Sequence, residues 1–251
     1  MSLKEKLKKG LMKTSAIIFR NKGSKILYYH DVFKTSNFKA LDADVYMGTN
    51  FDLFKQHLDI IRKEGFEIVR EISKPIGQVA IMFDDGFRGI WECRQYFYDE
   101  NIYPTVFLPV DYVGKTDLGM LSLDEILELQ KHGFKFECHG WTHKPLTEVK
   151  KADLKKELVD SRTFLSNLLG KEVNEICMPL GYFNEDVIKE IKQAGYKKIY
   201  SCIPGNFNEA SFGLFGRNLC QNVIPSELRL ILKGGNEILK KRYQKLHHKS
   251  N

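Results

Sequence analysis

The fold is decided by residues 79–87, Val79-Ala80-Ile81-Met82-Phe83-Asp84-Asp85-Gly86-Phe87, an apolar run that ends in two carboxylates and a glycine. A continuous apolar run of this length is typical of a strand buried on both faces of a parallel sheet. Successive side chains of a strand point to opposite sides, so Asp84 and Asp85 need not have the same role. Carboxylates at the end of a buried strand are costly unless they are paired, hydrogen-bonded or metal-bound. Two interpretations stay open here: a functional carboxylate pair, or an Asp-Gly turn in which one Asp caps the next helix.

Two histidines end a second strand-like run, Phe134-Lys135-Phe136-Glu137-Cys138-His139-Gly140-Trp141-Thr142-His143. Histidines four residues apart can share one face of a helical turn and chelate one metal ion. One carboxylate and two imidazoles form a facial ligand set, which leaves coordination positions open for water and substrate. Four of the other histidines are expected on helix surfaces or in the tail: His57, His132, His247 and His248.

Three motifs, taken in order, carry a family resemblance: Phe83-Asp84-Asp85-Gly86, His139-Gly140-Trp141-Thr142-His143 and Met178-Pro179-Leu180-Gly181-Tyr182-Phe183-Asn184. Over residues 25–235 the chain resembles the polysaccharide deacetylases with the NodB homology domain, carbohydrate esterase family four. The resemblance implies a distorted (β/α) barrel and metal-dependent removal of N- or O-acetyl groups from sugars. It also implies that Asp84 is the general base and that the metal is held by Asp85, His139 and His143. The implied cofactor is one divalent ion, with Zn in first place and Co, Ni or Fe as alternatives.

The first strand-like run, residues 26–32, ends in a third candidate group, His30. Many members of the family carry their general-acid histidine in a late Leu-x-His motif, which this chain lacks. The Tyr29-His30-Asp31 context is similar to the circularly permuted poly-N-acetylglucosamine deacetylases, whose acid lies on the first strand. That resemblance implies the general-acid role for His30. The alternative is a buried structural histidine bonded to Asp31 or to the backbone.

The resemblance also implies substrate contacts in the second and third motifs. The backbone N–H of Leu180 would hold the oxyanion of the tetrahedral intermediate, and a backbone donor tolerates a change of side chain. Trp141 would stack on a sugar ring or pack in the core, and Tyr182 is a further candidate contact. Many relatives place an Arg two residues before the position of Leu180, where it orients the base, but this chain has Met178. Arg88 and Arg217 are both candidates for that task.

Composition limits the classes of protein to consider. The chain has 251 residues, 39 basic against 32 acidic side chains and a net charge of +7. Its mean hydropathy is −0.34, and no apolar run approaches the roughly 20 residues that span a bilayer. No nucleic-acid-binding motif accompanies the positive charge, so most lysines are expected on solvated helix faces.

The alternation of strand-like and helical segments predicts an α/β protein with one distorted barrel and no second domain. We expect a basic N-terminal helical arm over residues 1–25, the barrel over residues 26–234 and a basic C-terminal tail over residues 235–251. The N-terminal arm either packs on the barrel or rests on an anionic membrane as a peripheral contact. The five scattered cysteines and the lack of a recognisable signal peptide favour a cytoplasmic protein.

Taken together, the sequence predicts a metal-dependent hydrolase that removes acetyl groups, N-acetyl foremost, from a polysaccharide, oligosaccharide or glycoconjugate. The alternative function is a catalytically impaired protein that binds glycan on the same fold. Met178, at the position of the usual Arg, is the feature that favours this alternative.

Overall fold

A computed structural model describes residues 3–18, 22–34, 48–207, 209–210 and 213–249 of the chain. Residues 33–50, whose Thr, Ser, Asn, Asp and Gly residues predict a loop, therefore lie mostly outside the described residues. The last residue of strand β2 (Asp31–Phe33) and all of β3 (Gly48–Asn50) fall at its two ends, and these strands pair in parallel.

A second, larger sheet forms the centre of the molecule. Its strands are β1 (Lys25–Tyr29), β4 (Glu67–Val69), β5 (Gln78–Asp84), β6 (Thr105–Leu108), β7 (Lys135–Cys138), β8 (Glu175–Cys177), β9 (Lys198–Tyr200), β10 (Glu209–Ala210), β11 (Leu214–Phe215) and β12 (Asn218–Leu219). The order is β10-β11-β9-β8-β7-β6-β5-β1-β12, with β4 also on β5, and all pairs are parallel except β10 with β11. Parallel pairing brings the carboxyl ends of these strands to one end of the molecule, where barrel active sites gather.

One short stretch connects the two ends of the strand order. Near one end, β11 lies between β10 and β9, and at the other end β12 pairs with β1. Only Gly216 and Arg217 separate β11 from β12. This connection curls the sheet into the distorted barrel that the motifs predicted, and it places Arg217 between the two edges.

The two faces of β5 show why adjacent aspartates diverge. Ala80 and Met82 belong to the apolar cluster inside the barrel, whereas Ile81 and Phe83 belong to the cluster beneath the helices. Because side chains alternate along a strand, Asp84 continues the inner face. Asp85 follows the last strand residue and has a left-handed backbone.

Helices surround the sheet. They are α1 (Leu3–Ile18), α2 (Phe51–Lys63), α3 (Gly89–Glu92), α4 (Arg94–Asp99), α5 (Leu123–Lys131), α6 (Ser161–Leu169), α7 (Glu185–Gln193), α8 (Pro225–Leu232) and α9 (Lys240–His247). Ser122 and Glu125 have the sequence spacing that predicts a capping box at the start of α5. The structure confirms it, because each side chain accepts a hydrogen bond from the other residue's backbone N–H. Asn184 caps α7, because its side-chain oxygen accepts a hydrogen bond from the N–H of Val187. A π-helix over Lys156–Asp160 directly precedes α6.

Both terminal segments pack on the barrel. Buried Met12, Ser15 and Ala16 lie on one side of α1, and the Ser15 hydroxyl donates to the carbonyl of Gly234 at 2.8 Å. The segment expected as a basic tail contains helix α9, and its His247 is buried. Within the described residues, no helix is both long enough and apolar enough to cross a bilayer.

Candidate active site

Strand register brings the candidate groups together. The parallel pair of β1 and β5 ends at Tyr29 opposite Phe83, so the next residues, His30 and Asp84, follow on neighbouring strands. His139 comes directly after β7, two strands from β5. Residues that are distant in sequence therefore meet at one rim of the barrel.

The three predicted metal ligands converge. Oδ1 of Asp85 lies 3.1 Å from Nε2 of His143 and 3.6 Å from Nε2 of His139. Ligands bound to one ion at about 2.0–2.2 Å are separated by about 3 to 4 Å, so these spacings fit a shared ion. Asp85 Oδ1 is buried and makes no hydrogen bond of acceptable geometry, which fits an atom that faces a cation.

The tautomer of His139 suits a ligand role. Its Nδ1–H donates to the carbonyl of Cys177 at 2.7 Å, because a carbonyl can only accept. The lone pair therefore resides on Nε2, the nitrogen that faces Asp85, and the carbonyl fixes the ring as an outer-shell partner. Burial lowers the pKa of His139 to about 4, so the ring is neutral and able to bind a metal near pH 7.

A second group of potential ligands overlaps the first: Asp84, His139 and Cys177. Both oxygens of Asp84 are hydrogen-bonded to Arg217, whose Nη2 also lies 2.8 Å from the Cys177 sulfur. Burial raises the pKa of the Cys177 thiol well above its ordinary value, so the thiolate that binds metals is disfavoured. The ligand set with an open, convergent geometry is Asp85, His139 and His143.

Backbone strain is concentrated in the same place. Among the described residues other than glycine, five have positive φ, and two of these are asparagines, which tolerate it. The other three are Asp85 at 71°, His143 at 62° and Leu180 at 56°. Non-glycine residues in this region cost energy and cluster at functional sites. All three positions carry candidate metal or substrate contacts.

Asp84 is held by Arg217. The guanidinium donates from Nη1 to Oδ1 at 2.7 Å and from Nη2 to Oδ2 at 2.8 Å, and both side chains are buried. Burial would raise the pKa of Asp84, but the adjacent guanidinium outweighs burial and holds that pKa well below its usual range. Arg88, the other candidate, instead pairs with Glu125 at 2.8 Å. Arg217 is thus the cationic partner of Asp84, the task for which Met178 supplies no charge.

His30 is bonded to a residue that the motifs did not identify. Its Nδ1 lies 2.8 Å from Oε1 of Gln221, which follows β12. The pairing of Tyr28 with Leu219 extends in register to His30 and Gln221, so strand register was the signal that could have found this partner. Asp31, the partner considered from the sequence, accepts from the N–H of Val32 through Oδ1.

Glu157 is a second residue that motif analysis missed. From the π-helix, it accepts hydrogen bonds from the N–H groups of Trp141 and Thr142 at 2.7 and 3.1 Å, and from the Thr142 hydroxyl at 2.6 Å. It is buried, and it holds the loop between His139 and His143, the two candidate ligand histidines. A π-helical turn is frequent at functional sites, and here it carries the side chain that supports the loop.

The candidate substrate residues occupy different environments. Leu180 is 51% exposed in the loop after β8. The ring of Trp141 lies 5.8 Å from that of Phe164 and packs against the core, which favours the packing role for this side chain. Tyr182 contacts the C-terminal segment, with Lys249 Nζ 4.0 Å from its ring centre.

The prediction that His57 lies on a helix surface is wrong. His57 is fully buried, and both of its ring nitrogens have partners. Its Nε2 donates to the carbonyl of Val223 at 2.6 Å, and its Nδ1 lies 3.0 Å from the Tyr29 hydroxyl. It therefore ties α2 to the loop that carries Gln221. His247 is also buried, against Tyr243 in its own helix.

The fold and the site can be compared with known proteins. Structural similarity extends to the Streptococcus pyogenes deacetylase PplD in complex with acetate, with a TM-score of 0.70 and 21% identity over 84% of this chain and 99% of that one. The Bacillus subtilis (strain 168) protein YxkH, named for polysaccharide deacetylases, is 23% identical over 76% of this chain and 70% of its own length. The poly-beta-1,6-N-acetyl-D-glucosamine N-deacetylase of Staphylococcus aureus (strain MSSA476) is 30% identical over 51% of this chain and 48% of its length. The chain thus spans about half of that relative.

The family model for polysaccharide deacetylase matches residues 72–199, just over half of the chain. This region contains the aspartate pair, both candidate ligand histidines and the Leu180 loop, and the chain therefore belongs to the polysaccharide deacetylase family.

Proposed function

We propose that this protein is a metal-dependent hydrolase that removes acetyl groups, N-acetyl foremost, from a polysaccharide, oligosaccharide or glycoconjugate. The observation that carries the proposal is the convergence of Asp85, His139 and His143 beside an Asp84 that pairs with Arg217. Asp85 has a buried oxygen that makes no hydrogen bond, as a metal ligand requires. Asp84 is instead oriented by a cation, as a proton acceptor requires.

The three ligands would hold one divalent ion, with Zn as the first candidate and Co, Ni or Fe as alternatives. Such an ion lowers the pKa of water and polarises the acetyl carbonyl. The neutral imidazole of His139 and the carboxylate of Asp85 fit this demand near pH 7. Burial would lower the pKa of His143, but the adjacent Asp85 outweighs burial and raises that pKa, so His143 would release a proton as the ion binds.

Asp84 would accept the proton of the attacking water. Its lowered pKa favours the ionised form, and the salt bridge fixes the orientation of its oxygens. A carboxylate of low basicity would be adequate here, because a bound ion would make the water more acidic. Oxygen of the water bonds to the acetyl carbon as its proton passes to Asp84.

Leu180 and His30 would complete the reaction. The N–H of Leu180 is assigned to the oxyanion, and the left-handed turn that presents it supports this role. The carbon–nitrogen bond then breaks, and the amine takes a proton from His30, so acetate and a free amino sugar leave. His30 directly follows β1, which pairs with β5, and it therefore lies at the level of Asp84 at the end of β5.

The alternative of a catalytically impaired glycan-binding protein rested on Met178. From the connection between β11 and β12, Arg217 reaches Asp84 with two hydrogen bonds, so the proposed base has a cationic partner in spite of Met178. This favours the active enzyme.

The test begins with metal content and acetate release from N-acetylated chitooligosaccharides. We expect about one ion per chain and acetate release that chelation abolishes and Zn restores. The variant His139→Ala should lose both metal and activity, whereas the surface variant His132→Ala should retain both. A purified, folded protein that binds no divalent metal, or a His139→Ala variant with full occupancy, would overturn the proposal.

A further inference from the structure

Helix α1 has one face packed on the barrel and a second face that is exposed. The exposed face carries Leu7, Leu11, Thr14 and Ile18, whose spacing places them along one side of the helix. Leu7, Leu11 and Ile18 are 61%, 47% and 66% exposed, and Ile17 beside them is 76% exposed. These five residues form the outer stripe of α1.

The outer stripe concentrates apolar surface. Single exposed apolar side chains are normal on a protein, whereas several on one face mark an interaction site. No other helix in the described part of the chain exposes more than one large apolar side chain. The Thr14 hydroxyl donates to the carbonyl of Gly10 at 3.2 Å, so its polar group is satisfied within the helix. The outer stripe can therefore enter an apolar environment at little polar cost.

Lysines accompany the outer stripe. Residues 3–18 contain five lysines and one glutamate. Of these lysines, Lys8 and Lys13 are exposed, and they lie on opposite sides of the outer stripe because an α-helix has about 3.6 residues per turn. An apolar stripe between cationic side chains is the pattern of helices that lie in the interface of an anionic bilayer. Their apolar side chains enter the boundary between headgroups and acyl chains, and their ammonium groups meet lipid phosphates.

The same charges disfavour a second copy of the chain as the occupant of this face. Two copies paired through their outer stripes would bring Lys8 and Lys13 of one copy close to those of the other, and like charges repel. Helices that associate with each other usually carry charges of both signs beside the apolar seam. The charge pattern of α1 therefore favours a lipid surface.

The outer stripe borders the proposed reaction centre. Lys8, which flanks the stripe, also lines a cavity of about 450 Å³ that lies beside His30 and is walled by residues of α8 and α9. Leu180 and Leu219 line this cavity as well, and they are 51% and 43% exposed. Contact between α1 and a bilayer would therefore hold the cavity near the lipid surface.

We propose that α1 is a docking helix for the surface of an anionic phospholipid bilayer. The outer stripe enters the boundary between headgroups and acyl chains, and Lys8 and Lys13 contact lipid phosphates. The contact is peripheral, since the opposite face of α1 stays packed on the barrel. Docking does not depend on the proposed deacetylase function, because binding to lipid requires no turnover.

Vesicle flotation of the whole chain tests the docking helix. Binding to vesicles of equimolar phosphatidylcholine and phosphatidylglycerol should exceed binding to phosphatidylcholine alone by about tenfold or more, and added salt should reduce the difference. The double variant Leu11→Ser with Ile18→Ser should lose about tenfold or more of the binding to anionic vesicles. The matched control, Ile76→Ser with Leu118→Ser, removes two exposed apolar side chains elsewhere and should bind as the wild type does.

A pair of charge variants gives a second readout. Lys13→Glu should lower binding to the anionic vesicles by about tenfold or more. Lys189→Glu changes the net charge equally but on the exposed face of α7, so its effect should be much smaller. All these substituted side chains are exposed, so the variants should keep the wild-type circular dichroism spectrum.

Equal binding to the two kinds of vesicle, or test and control variants that bind alike, overturns the docking role. Light scattering checks the other occupant: the oligomeric state in solution should not change in Leu11→Ser with Ile18→Ser. A dimer that this variant dissociates assigns the outer stripe to a second copy of the chain and also overturns the proposal.

Discussion

Arg217 forms a two-point salt bridge with Asp84, and the two residues are 133 positions apart in the chain. The short connection between β11 and β12 makes this contact possible because it crosses from one edge of the sheet to the other. The Arg217 guanidinium also lies over the ring of Tyr28 at 4.1 Å, which fixes its plane. A cation from the closing segment of the barrel thus orients the proposed base.

Arg217→Lys should lower kcat by about tenfold or more, because one ammonium cannot replace the planar two-point contact. Arg217→Met should destabilise the protein by about 3–5 kcal/mol, since it leaves Asp84 buried and unpaired. Initial rates and urea unfolding check the two effects. The double variant Arg217→Met with Met178→Arg tests whether a cation from the β8 side can substitute. Wild-type rates in Arg217→Lys would contradict an orienting role.

The same pair predicts how stability depends on pH. Asp84 has a depressed pKa in the folded protein, so its stabilisation is fully present above the unfolded value of about 3.9. That stabilisation is lost as pH falls below 3.9 towards the folded pKa. Asp84→Asn should therefore weaken the acid dependence of unfolding between about pH 4 and pH 2. Thermal unfolding followed by circular dichroism across this window makes the measurement, and an unchanged slope would count against it.

Asp84→Asn also distinguishes a general-base role of Asp84 from a metal-ligand role. It should retain bound metal and lose activity by about 10²–10⁴-fold, the usual contribution of general-base catalysis. Metal analysis of the purified variant, together with acetate release, distinguishes the roles. Loss of the metal with the activity would reassign Asp84 as a ligand.

His30→Ala should keep its fold and its metal but lose rate. We expect a loss of about 10²–10⁴-fold on amide substrates, whose amine must be protonated to leave. The loss should be smaller on an activated acetyl ester, whose leaving group departs unaided. Parallel assays on the two substrates supply the comparison, and equal losses would indicate a positioning role.

Gln221→Glu should move the alkaline limb of the pH–rate profile. A general acid must be protonated, so activity falls as pH rises through its pKa. The carboxylate 2.8 Å from Nδ1 would stabilise the imidazolium of His30 and shift that limb upward by about one pH unit. Gln221→Ala, which adds no charge, should lower the rate without that shift. A Gln221→Glu profile that superimposes on the wild-type curve would exclude His30 as the acid.

Glu157→Gln should weaken metal binding by about tenfold, because supporting groups around metal ligands typically contribute 10–100-fold. The amide can no longer accept all the hydrogen bonds that Glu157 receives from Trp141 and Thr142. Competition with a chromogenic chelator measures the affinity. Glu148→Gln, in an exposed part of the following loop, is the matched control, and equal affinities in the two variants would remove the support role.

The sequence alone determined the apolar strands that carry the aspartate pair and the histidine pair, and the polar groups that follow them. A buried strand needs a continuous apolar run, and its polar termination is local information, so Asp84, Asp85, His139 and His143 could be identified from residue order. The capping box of α5 and the Asn184 cap are likewise local, because each involves residues only three positions apart.

Tertiary structure decided which distant residues support these groups. Arg217 was only one of two candidates until the closing segment placed it on Asp84, and Gln221 and Glu157 carry no motif at all. Helix α9 lies in the segment whose charge predicted a tail. In the structure its residues Tyr243 and His247 line the cavity beside His30. Such contacts depend on strand order, on register and on how the sheet closes, and these are properties of the whole barrel rather than of any short stretch of sequence.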